Sequence, residues 1–68
     1  MKYWEHIADK LSASGYSLGW LRAFEGEHLL WIVDAHKDGQ KFISKAEEMT
    51  VAFLELEKMI IEVGKKDP

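Results

Sequence analysis

The chain contains no cysteine. That excludes a disulfide framework and any thiolate metal site. It also contains no long apolar run. The longest uninterrupted one, Leu29-Leu30-Trp31-Ile32-Val33, falls far short of a bilayer span, so a membrane partner is not expected. A basic excess is missing too: nine Lys and Arg stand against twelve Asp and Glu, for a formal net charge of −3. A phosphate-backbone binder needs a basic patch, so the balance argues against a nucleic-acid partner. The opening residues, Met1-Lys2-Tyr3-Trp4-Glu5-His6, lack the apolar stretch and small-residue cleavage site of a secretory leader. A cytoplasmic location is the expectation.

What is present suits one small folded domain spanning residues 1–68. Hydrophobic residues make up 47 %, including three Trp, three Phe and two Tyr, a globular rather than a disordered composition. A chain of this length buries only roughly 60 % of its unfolded surface. Helix and sheet packing, or these with a second subunit, must therefore supply what disulfides do in small secreted domains.

Two helices and three strands can be read from periodicity. Trp4, Ile7, Ala8 and Leu11 recur at helical spacing over residues 3–14, and Gly15 follows as a C-terminal cap. Tyr16, Leu18, Trp20 and Phe24 alternate with small residues, giving a strand over 16–24. Residues 27–36, rich in Leu, Trp, Ile and Val, read as a second strand, and 40–46 as a third. Over 47–63, Met49, Ala52, Phe53, Leu56, Ile60 and Val63 fit one helical face. Ser44 and Glu47 read as its capping box, Gly64 as its end, and residues 64–68 as a polar tail. The expected architecture is α+β: α-β-β-β-α, a three-stranded antiparallel meander with both helices on one face.

Register follows from the turns. Asp38-Gly39 is a strong hairpin signal. As a two-residue turn it places Lys37 opposite Gln40, Ala35 opposite Phe42, Val33 opposite Ser44 and Trp31 opposite Ala46. A slip of one residue would scramble the two faces. For the first hairpin, a Glu25-Gly26 turn pairs Trp20 with Trp31 and Leu18 with Val33, with Trp31 in the core. A three-residue turn would instead bury Gly19, Leu21 and Ala23. The first arrangement buries more apolar area and is preferred.

No chemistry-bearing motif survives inspection. Asp34-Ala35-His36-Lys37-Asp38-Gly39 resembles the start of a calcium loop, but position three is His and the twelfth is Lys45 where a bidentate Glu is required. His28 and His36 lie eight residues apart in one strand, about 26 Å, and cannot share a zinc ion within a subunit. His6 sits on the first helix. Asp34 and His36 do share a face, so a weak small-molecule or metal site there is one alternative. None of Ser12, Ser14, Ser17 or Ser44 lies in a nucleophile elbow, and the spacing of Gly15 and Gly19 suits no phosphate loop. The acids of the last helix read as a solvated face. No catalytic residue and no cofactor is expected, and the chain is not expected to be an enzyme.

The element order also describes double-stranded-RNA-binding domains. Those carry lysines at the start of the last helix, where this chain reads Ala46-Glu47-Glu48-Met49. Plan alone does not carry function. The strings Trp31-Ile32-Val33-Asp34-Ala35-His36, Asp38-Gly39 and Ala52-Phe53-Leu54-Glu55-Leu56-Glu57 resemble a group of small uncharacterised bacterial proteins. The resemblance covers most of the chain from Tyr16 onward. It implies a bacterial cytosolic origin and brings no activity, cofactor or ligand.

The surface remains. The sheet face away from the helices should show Leu21, Leu30, Ile32 and Ile43, rimmed by Asp34, His36, Lys41 and Lys45. Val51, Leu54 and Ile61 form a second apolar line on the last helix. A contiguous apolar patch on a small domain marks a contact surface. The leading expectation is a non-enzymatic interaction module that binds a protein partner or itself as a homodimer. The alternative is a nucleic-acid-binding or regulatory domain using Lys37, Lys41 and Lys45 with Arg22 nearby.

Overall fold

The computed structural model describes residues 2–65. The element order is α1 (Tyr3–Ala13), β1 (Ser17–Glu25), β2 (His28–Lys37), β3 (Gln40–Ala46) and α2 (Met49–Lys65). The strands form one antiparallel sheet in the order β1-β2-β3, and both helices pack against it. The α-β-β-β-α plan with an open sheet is the one expected.

Each boundary has a local cause. At the start of α1 the Lys2 backbone N–H donates to the Glu5 carboxylate at 3.1 Å, one half of a capping box. At its end the Gly15 N–H donates to the Ser12 carbonyl and the Tyr16 N–H to the Leu11 carbonyl, at 3.0 and 3.1 Å. That pair of bonds is a Schellman motif, with Gly15 in the left-handed position at φ 97°. Lys37 adds a third tie. Its ammonium donates to the Ser14 carbonyl at 2.7 Å and lies 5.3 Å from the centre of the Tyr16 ring, so the second hairpin holds the end of α1.

The second hairpin has the expected register, from Lys37 opposite Gln40 to Trp31 opposite Ala46. Asp38 and Gly39 both have positive φ, 51° and 82°, as a type I′ turn requires. The first hairpin differs from expectation. Glu25 pairs with His28, so the turn is Gly26-Glu27, and Trp20 lies opposite Val33 rather than Trp31. Gly26 has φ 65° while Glu27 is not in the left-handed region. This is the sign pattern of a type II′ turn, which takes glycine at its first central position, not its second. Moving the turn by one residue moves every pairing by two. The faces survive the change, but each neighbour is different.

Two further expectations are corrected. Ser44 does not cap α2. It lies within β3 opposite Val33, is buried, and its hydroxyl has no hydrogen-bond partner among the described residues. The helix starts two residues later than expected, at Met49, with the Glu48 carbonyl accepting from Ala52. Gly64 does not end the helix, which runs through Lys65. Of the expected polar tail, residues 66–68 lie outside the described residues.

The core is small: Ile7, Ala8 and Leu11 of α1, Val33 and Ala35 of β2, and Ala52, Phe53 and Leu56 of α2. Phe53 is its largest side chain with no exposure. The Trp4 ring stacks on it at 5.6 Å, and Trp20 meets both rings edge-on, at 5.7 and 6.0 Å. Such pairs contribute about 0.5–1.5 kcal/mol each beyond burial. Trp31 is not at the centre. It is half-buried at the core margin with the Arg22 guanidinium 4.8 Å from its ring centre. The helices leave the β1–β2 tip uncovered, and Phe24 there is 74 % exposed.

Two expected outcomes follow from this packing. Phe53→Ala should cost about 3–5 kcal/mol, enough to unfold so small a chain, as read by urea or thermal unfolding. Ser44→Ala should hold or raise stability, by up to about 1 kcal/mol in the same measurement, because it removes a buried hydroxyl without a partner.

Candidate functional site

Sheet alternation sends every second residue away from the helices. The register then sets those residues in rows across three strands. Ser17, His36 and Lys41 form one row; Gly19, Asp34 and Ile43 the next; Leu21, Ile32 and Lys45 a third. Ala23 and Leu30 follow, and then Glu25 and His28. All eight residues expected on this face lie in these rows. Leu21 is 55 % exposed and Ile43 48 %, while Leu30 and Ile32 on the central strand are half-buried by their neighbours.

The charged rim is arranged differently from expectation. Lys45 bonds Glu25 at 3.0 Å, reaching from one edge strand to the other across β2 and over the Leu30 row. Asp34 leans toward β1. Its Oδ1 lies so close to Gly19 that an ideal Cβ there would be 2.6 Å from it. The carboxylate thus occupies the space that a side chain at position 19 would fill. Glu25 and Gly19 also belong to this surface. The Gly26-Glu27 turn makes Glu25 a strand residue and sets Gly19 opposite Asp34. With the turn one residue earlier, Glu25 is a turn residue and Gly19 faces Ile32.

The four basic residues considered for nucleic acid do not form one patch. Lys37 and Arg22 lie on the helix side, engaged with Ser14, Tyr16 and Trp31. Lys41 and Lys45 lie on the open face, and Lys45 is paired. Beside the His36–Lys41 row a shallow polar cleft of about 430 Å³ is lined by Gly15, Ser17, Asp38 and Gln40. His28 bonds Glu47 at 2.8 Å, joining the start of β2 to the segment before α2. Among the described residues no three His, Asp or Glu side chains converge as a metal site would need. On the far side of the molecule Lys10 of α1 pairs with Glu57 of α2, and this hydrogen bond, with the charge of Glu57, holds the ammonium above its ordinary pKa.

The second apolar line is also exposed, with Val51 at 40 %, Leu54 at 39 % and Ile61 at 49 %. Among the described residues no helix is long and apolar enough to cross a membrane. Comparison with protein-family models, curated proteins and solved structures gives no match.

The Asp34–Gly19 contact has a measurable consequence. Gly19→Ala should turn the Asp34 carboxylate out to solvent. The moving group is the end of a short side chain, so stability should change by less than about 1 kcal/mol. The carboxyl carbon chemical shift of Asp34, followed by NMR, should report the displacement.

Proposed function

We propose that this chain is a non-enzymatic interaction module whose contact surface is the open face of its sheet, acting in the bacterial cytoplasm on a protein partner or on itself. One observation carries the reading: Leu21 and Ile43 stand about half exposed beside Leu30 and Ile32, contiguous on one flat face that neither helix covers. Leaving such area in water costs about 25 cal/mol per Å², and a partner surface removes that cost. Asp34, His36, Lys41 and the Lys45–Glu25 pair rim the patch with both signs of charge. In an interface of this kind the rim sets orientation and partner choice more than affinity. The division of the basic side chains between two faces favours a protein partner over nucleic acid.

The informative variant is Ile32→Lys, at the middle of the patch. It should keep the far-ultraviolet circular dichroism and thermal midpoint of the wild type. It should also abolish the cross-links that a photoreactive residue at position 43 forms in a bacterial extract. An Ile32→Lys chain that unfolds would make this face part of the core. Cross-links that persist in the folded variant would remove the patch from the contact.

A further inference from the structure

The two edges of the sheet are unlike. An edge strand presents unpaired N–H and C=O groups, and proteins guard such edges with lysine, proline or short length. β3 has seven residues and carries Lys41 and Lys45. β1 has nine residues, no proline and no lysine, with Arg22 its one cation. Three of the most exposed large apolar side chains of the described residues lie on it: Trp20 at 47 %, Leu21 at 55 % and Phe24 at 74 %.

The ladder phase shows which groups are free. A two-residue turn is closed by a pair that exchanges both ladder hydrogen bonds, here Glu25 and His28. The alternation then turns the N–H and C=O of Ser17, Gly19, Leu21, Ala23 and Glu25 toward β2. Those of Leu18, Trp20, Arg22 and Phe24 face the open edge.

We propose that two copies of this chain join antiparallel through β1, with the two-fold axis at Leu21, making one six-stranded sheet from two three-stranded ones. In this register all nine residues of β1 find a partner. Leu18 faces Phe24 of the second copy and Trp20 faces its Arg22, each as a hydrogen-bonded pair. Gly19 faces Ala23, Ser17 faces Glu25, and Leu21 faces its own mate as a non-hydrogen-bonded pair. The next registers that the hydrogen-bond phase allows each leave two residues of β1 unpaired, and one of them sets Arg22 against Arg22.

The surface beside the edge fits the same partner. A cleft of about 460 Å³ runs between α1 and β1, lined by Ala8, Asp9, Ser12, Tyr16, Leu18 and Trp20. The strand of the second copy brings Phe24 alongside Leu18, where the cleft receives its ring. It brings Arg22 alongside Trp20, with Asp9 as the acid of the cleft. Because the contact is isologous, both copies make it and the assembly closes as a dimer. The inference rests on reading the chain as an interaction module, but it uses the edge of the sheet and leaves Ile32 free. It also extends the open face, since Ile32 and Leu21 of one copy run on into Leu21 and Ile32 of the other.

The absence of native cysteine makes a clean test. Opposed Cα atoms in a non-hydrogen-bonded antiparallel pair lie about 4.5 Å apart, within reach of a disulfide. Leu21→Cys should therefore form a covalent dimer under mild oxidation. Ile43→Cys, on the guarded edge, should not. In sedimentation equilibrium the wild type should be dimeric, and Phe24→Asp should raise the dissociation constant by about tenfold to a hundredfold. Arg22→Pro should abolish the dimer, since it deletes an N–H that faces the open edge and not β2. Circular dichroism should show both variants folded, and Ile32→Lys should leave the dimer intact. A wild type that sediments as a monomer at every concentration overturns the proposal. So does a dimer that Leu21→Cys fails to cross-link and Ile32→Lys dissolves. That second outcome places association on the open face, sustaining the interaction module while removing the edge.

Discussion

Phe53 is the point on which three elements depend. It comes from α2, receives the stacked ring of Trp4 from α1, and is met edge-on by Trp20 from β1. Its side chain has no exposure. Around it, among the described residues, Leu56 and Val33 are fully buried and Ile7 and Leu11 nearly so. A chain of this length has a high ratio of surface to interior, so one well-placed aromatic does what a broad aliphatic core does in a larger domain. The position of Phe53 also fixes which sheet face the helices take. Each helix offers one main apolar stripe, and both stripes converge on the same three rings.

That convergence leaves the rest of the sheet to solvent. The face with Leu21, Leu30, Ile32 and Ile43 is opposite the helices, and the β1–β2 tip with Phe24 extends past them. The strands differ in length, nine and ten residues for β1 and β2 against seven for β3. The chain turns back into α2 at the end of the short strand, so the longer hairpin projects beyond the helical layer. Exposure of Phe24 and partial exposure of Trp31 are consequences of this mismatch, whereas Trp20, level with Val33, is exposed because β1 is an edge strand. Arg22 partly compensates, with its guanidinium laid against Trp31 on the same side.

The charges work at the margins rather than in the core. Lys37 ends α1 from across the sheet, Lys10 joins the two helices, and Lys45 reaches Glu25 over the central strand. Exposed pairs of this kind add little to stability. Their effect is geometric: Lys37 and Lys10 tie the helices on one side of the sheet, and the Lys45–Glu25 pair holds its two side chains at the rim of the open face. Asp34 does the same by folding over Gly19, which puts a carboxylate in the groove between β1 and β2.

Much of this was legible in the sequence, for reasons that are local. Helical spacing over Trp4, Ile7, Ala8 and Leu11 identified α1 and its buried face, and Gly15 marked its end. Asp38-Gly39 determined both a turn type and a register, because only a type I′ turn needs positive φ at two successive residues. Alternation sorted Leu30, Ile32 and Ile43 from Trp31 and Val33, since a strand has only two faces. The first hairpin was ambiguous. One glycine fits either central position of a tight turn, and choosing the wrong one moves every pairing while keeping every face. That is why the membership of the open face was readable and its neighbours were not. Ser44 illustrates the same limit. A serine three residues before a glutamate is a capping signal in one dimension, yet β3 continues through it and buries it against the helical layer. The sequence by itself determined the order of elements, the second register and the residues of each face. Only the tertiary structure decided the first register, the margin position of Trp31 and the contrast between a guarded and an unguarded sheet edge. The first register rests on Gly26 at the first central position of its turn, the edge contrast on which strands the topology leaves at the edges, and the place of Trp31 on how far the helices reach over the strands.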